Sequence, residues 1–154
     1  MINLKLKDGN VIQAEKGSTV LDAAYAISSG LGRAAMAGLV NGKRVDIRYE
    51  LTDNCELEIR TFDDEDGKHA FRHTSSHILA LAVKRLFPEV KLAIGPAIDD
   101  GFYYDFDKEG SFSAEDLTKI EAEMKNIVKE DLKVERYTLS RNEALKLMEE
   151  IDEP

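Results

Sequence analysis

The sequence predicts an α+β chain made of two successive modules, and three observations carry that expectation. Two strand pairs, closed by Asp8-Gly9 and Asn41-Gly42, flank one helical stretch within residues 1–62. Charge divides the chain at the same place: residues 1–62 carry eight basic and eight acidic side chains, while 63–154 carry 13 and 22, so the whole net charge of −9 belongs to the second part. Beyond residue 67, apolar residues recur at three-and-four spacing, the signature of amphipathic helices.

Each element has its own local warrant. Ile2, Leu4 and Leu6 alternate with polar residues, Asp8-Gly9 supplies a turn with positive φ, and alternation resumes from Val11. Ser18 or Thr19 can cap a helix over 20–28, whose Val20, Ala23, Ala24 and Ile27 share a face, with Gly30 and Gly32 expected to stop it. Strands follow over 36–40, 43–45 and 55–61, the last with Cys55, Leu57 and Ile59 on one face. A sheet crossed by one helix in this order is the ubiquitin-like β-grasp pattern. The four acids and glycine of 63–67 are expected to form a solvated linker. A helix over 70–87 then carries Phe71, Ser75, Ile78, Leu79, Ala82 and Leu86 in one stripe and ends at Pro88. Extended segments over 90–94 and 101–107 lead to a helix over 114–129, capped by Ser113 with Asp116 and carrying Leu117, Ile120, Met124, Ile127 and Val128. A strand over 134–139 and a helix from Ser140, with Glu143 at the capping-box position, complete the second module.

Composition excludes several classes. A net charge of −9 does not describe a polybasic nucleic-acid binder. One cysteine, Cys55, rules out an internal disulfide and any Cys-only zinc site. No apolar run approaches the roughly 18 to 20 residues of a membrane span, and 1–10 lack a signal-peptide core, so a cytoplasmic location is expected.

The candidate chemistry lies in His73-Thr74-Ser75-Ser76-His77. At about 100° per residue, the two histidines stand about 40° apart, with Ala80 and Lys84 in the same sector and the apolar stripe opposite. Such a pair can share a water, a metal ion or a substrate group; two plain surface histidines are the alternative on pattern alone. Thr74 occupies the position of the glutamate in H-E-x-x-H, which argues against a zinc protease, and with only His69 besides, a metal site would be incomplete. No metal is therefore assigned. Neutral imidazoles can position or deprotonate water without one. A second constellation is Ile94-Gly95-Pro96 followed by Gly101-Phe102-Tyr103-Tyr104-Asp105-Phe106-Asp107, in which glycine permits close approach and strand alternation sends Phe102, Tyr104 and Phe106 to one face.

These residues carry a resemblance. Residues 1–62 resemble a TGS domain. His73 through Ala80, Ile94-Gly95-Pro96, and Gly101 through Phe106 together resemble the editing domain of the bacterial threonyl-tRNA synthetases, of which 63–154 would be the N-terminal part. The resemblance implies hydrolytic editing of serine wrongly attached to threonine tRNA, with His73 and His77 catalytic and Gly95 and Tyr104 binding substrate. It also implies ATP, magnesium and a catalytic zinc for an aminoacylation core outside these residues, threonine tRNA as partner, and homodimers formed through that core. The family completes its editing pocket with a Cys-x-x-x-His pair further along. Here the sole cysteine lies in the first module and no histidine follows His77. The chain is thus expected to be a piece ending inside the editing domain and inactive alone. A non-catalytic β-grasp adaptor for RNA or protein is the alternative, and a freestanding metal-dependent hydrolase a third.

Overall fold

The computed structural model describes residues 1–135 and 137–153 and divides into two compact units, 1–72 and 73–154.

In the first unit, β1 (Ile2–Leu6) and β2 (Val11–Ala14) pair antiparallel around Gly9 at φ 87°. Helix α1 (Val20–Ile27) opens with a reciprocal capping box between Thr19 and Asp22. It does not end the helical region, as Gly30 and Gly32 lie inside a short second helix, α2 (Ser29–Ala34), started by the Ser28 side chain. Gly32 serves packing here rather than termination: a Cβ at that position would lie 2.3 Å from the Tyr25 ring. Strands β3 (Ala37–Val40) and β4 (Lys43–Val45) join through Asn41 and Gly42, both at positive φ. Strand β5 (Cys55–Arg60) enters the middle, parallel to β1 and antiparallel to β3, giving the order β2-β1-β5-β3-β4. This is the expected β-grasp, with α1 across the sheet over a core of Ile2, Leu4, Val20, Ala23, Leu51 and Leu57.

Residues 47–51, which no sequence signal marked, hold that helix in place. The carbonyls of Ile47 and Tyr49 accept the free amides of Leu21 and Val20, and Leu51, fully buried, exchanges backbone bonds with Gly17 and Ser18. The first-turn amides that a helix leaves unpaired are thereby satisfied by protein.

The acidic stretch after β5 is structured rather than a solvated connection. Helix α3 spans Glu65–Leu86, so it begins five residues before the expected start. Asp64 accepts the Thr61 amide at 2.9 Å, and Arg60 gathers Glu58, Asp64 and Asp66. Glu65 and Asp66 sit in the first helical turn, where the helix dipole favours negative charge. Gly67 is buried against the Thr61 carbonyl, closer than any Cβ permits.

In the second unit, α3 is followed by β6 (Lys91–Leu92), β7 (Ala97–Ile98), β8 (Gly101–Phe102) and β9 (Phe106–Asp107), then α4 (Ala114–Glu130) and α5 (Arg141–Glu150). The extended segments form one interrupted hairpin: β6 pairs with β9 and β7 with β8, while backbone bonds link Ala93 to Asp105 and Asp105 to Ile94 between them. Ala82, Val83, Val90, Ile120 and Ile127 form the core, joined by Ile78, Leu79, Phe87, Phe106, Phe112 and Met124. Several expected core residues stand outside it. Phe71 and Leu86 of α3 and Leu117 and Val128 of α4 are exposed, because the buried arc of α3 is rotated toward Ser76, Ala80 and Val83. No strand forms among the described residues of 134–139, of which Arg136 lies outside the description. The capping boxes at Ser113 and Ser140 are both made.

Replacing Gly67 by alanine tests the acidic turn. Alanine favours an unconstrained helix by about 1 kcal/mol over glycine, but here its Cβ meets backbone, so we expect a destabilisation of about 1 to 3 kcal/mol in urea unfolding. An unchanged or raised midpoint would contradict the packing described.

Candidate functional site

Helix α3 places His73 and His77 one turn apart and brings their rings into contact. The Nε2 atoms lie 3.1 Å apart, and the rings meet edge to face with centroids 4.6 Å apart. One imidazole must donate to the other, so two neutral rings adopt opposite tautomers across this bond. Both side chains are exposed, yet they do not stand on a bare face. Ala80, in the same sector of the helix, is 5% exposed, and neighbouring Ser76 is 1% exposed, its hydroxyl donating to the His73 carbonyl at 2.7 Å. The pair therefore sits at the margin of the packed surface rather than opposite it. Ser76 escaped the sequence reading because a serine on a helix gives no apolar signal; only its bond to the preceding turn makes its burial affordable.

Burial first, and the neighbouring His73 second, hold the His77 imidazole below the ordinary histidine value of 6.5. At neutral pH His77 is an uncharged imidazole that either accepts from His73 at Nε2 or donates to it there, in which case Nδ1 keeps the lone pair. Once the pair has taken one proton, like-charge repulsion opposes a second. Such a pair can accept a proton from water and share it along the Nε2 contact.

Gly95 and Tyr104 form a second contact, on the interrupted hairpin. A Cβ at residue 95 would stand 2.1 Å from the Tyr104 ring, so only glycine lets the two segments approach. Tyr104 stacks on Phe106 at 4.7 Å between centroids, which ties it to the core, while Tyr103 points to solvent, as strand alternation requires. Burial, and then the charge of Glu153, raise the Tyr104 phenol above its ordinary value, so it is a neutral donor at physiological pH. The structure thus joins the four expected residues two by two, a pair on α3 and a pair on the hairpin.

Two further side chains matter that sequence reasoning left without a role. Lys84, three turns beyond His73, donates to the carbonyls of Pro88 and Val90 and contacts Glu153 at 2.5 Å. Glu153 gave no sequence signal because its partners lie over 60 residues away. Among the described residues no group of three or more histidines, cysteines or acids is arranged to hold a metal. Cys55 is an unreactive thiol, raised above its ordinary value by burial and then by Asp53. In the first unit a groove of about 270 Å³ is lined by Leu6, Ile27, Leu31 and Leu57 with Lys7, Glu58 and Arg60. Lys7 and Arg60 both pair with Glu58, and Asp8 and Asp64 add two more carboxylates to the lining, so the groove has no positive excess for a phosphate.

Titration by histidine NMR tests the pair. His77 should become half-protonated below pH 6.5, and His73→Ala should move its midpoint upward. Since the folded state then binds fewer protons than the unfolded one, His77 contributes stability above pH 6.5 that is lost as the pH falls below it. Two independent titrations at the ordinary value, unmoved by His73→Ala, would contradict the coupling.

The chain is similar to known proteins along its whole length. Residues 2–61 match the model of the TGS domain, so the first unit is a TGS β-grasp. Over all 154 residues the chain is 60% identical to the threonine–tRNA ligase of Acetivibrio thermocellus, 57% to that of Clostridium botulinum and 55% to that of Clostridium perfringens. In each case it spans 24% of the relative's length, at the N-terminal end. The chain is homologous to the N-terminal quarter of threonine–tRNA ligases.

Proposed function

We propose that these residues serve as the N-terminal region of a threonine–tRNA ligase, in which the TGS unit contributes to tRNA contact and the second unit to hydrolysis of seryl-tRNA formed in error. The observation that carries the editing reading is the His73–His77 contact at 3.1 Å, two imidazoles joined one turn apart on one helix. The need for such a site is physical. Serine and threonine differ by one methyl group, which a binding pocket discriminates by only about 1 to 3 kcal/mol, or roughly 10- to 200-fold. A second site that hydrolyses the wrong product supplies the rest.

In this reading His77, kept neutral, accepts the proton of the attacking water, and His73 orients it or shares the charge. The close fit of Gly95 and Tyr104 offers a wall and a phenolic donor for the aminoacyl end of the substrate. The ATP-driven joining of threonine to tRNA, and the magnesium and zinc it implies, fall outside these residues. The chain by itself is expected neither to charge tRNA nor to deacylate it.

The test uses a threonine–tRNA ligase carrying these residues as its N-terminal quarter. Replacing both His73 and His77 by alanine should slow seryl-tRNA hydrolysis by about 10²- to 10⁴-fold while threonine charging and thermal stability stay near those of the parent. Full hydrolysis by the double variant would reject the assignment.

A further inference from the structure

Helix α5 has no fully buried residue, yet the turn that follows it is fastened to the second unit by charge. Lys91 donates to both the backbone carbonyl and the carboxylate of Asp152. One residue on, the Glu153 side chain is only 12% exposed. Its Oε1 lies 2.5 Å from Lys84 Nζ, and its Oε2 accepts the Leu92 amide at 3.3 Å. The Oε1 contact is an ion pair without an aligned hydrogen bond, and Lys84 donates to the Pro88 and Val90 carbonyls, at 3.1 and 3.0 Å. The carboxylate therefore sits over the point where α3 hands the chain to the hairpin, and its two oxygens bridge those elements.

That point governs the pocket. Three residues beyond Leu92 is Gly95, whose place against the Tyr104 ring depends on the course of residues 92–95, and the ladder continues only through Ala93, Ile94 and Asp105. A buried carboxylate is costly unless paired, so an arrangement that desolvates Glu153 and matches it to one ammonium and one amide has a defined geometry.

We propose that Glu153 is a positioning residue for the Gly95–Tyr104 pocket, its carboxylate locking the Leu92 amide to Lys84 so that the glycine and the tyrosine meet at a fixed distance. This rests on the reading of Gly95 and Tyr104 as the substrate wall and extends it to a residue that touches no substrate. The direction of the Glu153 carboxyl, pulled below its ordinary range by Lys84 against the effect of burial, agrees with a charge kept in place at all physiological pH values.

The experiment has two arms. In the 154-residue chain, Glu153→Gln, Glu153→Asp and Glu153→Ala are compared by NMR. The Leu92 and Gly95 amide signals and the Gly95 to Tyr104 ring contact should shift in the Gln and Ala variants, with Asp restoring part of the change. Unmoved Gly95 and Tyr104 signals, with faster amide exchange confined to α5, would reduce Glu153 to an anchor of that helix and overturn the inference. In a threonine–tRNA ligase carrying the same substitutions, Glu153→Gln should lower kcat for seryl-tRNA hydrolysis by about 10- to 100-fold, the effect of a small misplacement, with KM changed far less. Shifted signals with unaltered hydrolysis would uphold the positioning role and reject the pocket's part in editing.

Discussion

At about 100° per residue, His73, His77, Ala80 and Lys84 fall within about 60° of one another around α3, and the second unit is arranged about that line. Its first two members meet at 3.1 Å, its third is buried, and its last gathers two carbonyls and a carboxylate at the far end. One helix face thus runs from an exposed histidine pair, through packing, to an ionic anchor. The small residues Ser76 and Ala80 make this possible, since larger side chains there would push the histidines away from the packed surface that lowers the His77 proton affinity.

The β-grasp was legible because its turns require particular residues. Asn41-Gly42 and Asp8-Gly9 demand positive φ and obtain it, at φ 49° and 76° for the former and 87° at Gly9. Capping boxes at Thr19, Ser113 and Ser140 fixed three helix starts for the same reason. What could not be read were arrangements whose partners are distant in sequence. Leu51 is buried because residues 47–51 complete α1, and no local pattern announces that. Gly30 and Gly32 read as helix stops, but both lie inside α2, and at Gly32 the Tyr25 ring takes the space of a side chain.

At the candidate site the sequence yielded the shared sector of the two histidines, but neither the contact of Gly95 with the Tyr104 ring nor the full arc on which α3 packs. Of the expected stripe, Ile78, Leu79 and Ala82 pack on the core but Phe71 and Leu86 stay exposed, while a serine carries part of the buried arc. The acids of 63–67 misled in the same way. Like charges in a row suggest a solvated linker, yet Arg60 and the positive end of α3 give those carboxylates partners, and Gly67 gives them room.

Homology to the N-terminal quarter of threonine–tRNA ligases and the geometry of α3 meet in one claim, that a neutral His77 coupled to His73 takes the proton of the hydrolytic water. Single-turnover hydrolysis of seryl-tRNA as a function of pH, in a ligase carrying these residues, tests it most directly. The rate should be level above about pH 7 and fall as the pH drops below 6.5, following the depressed titration of His77. A rate that stays level from about pH 8 to pH 5, well below the ordinary histidine range, would contradict the account.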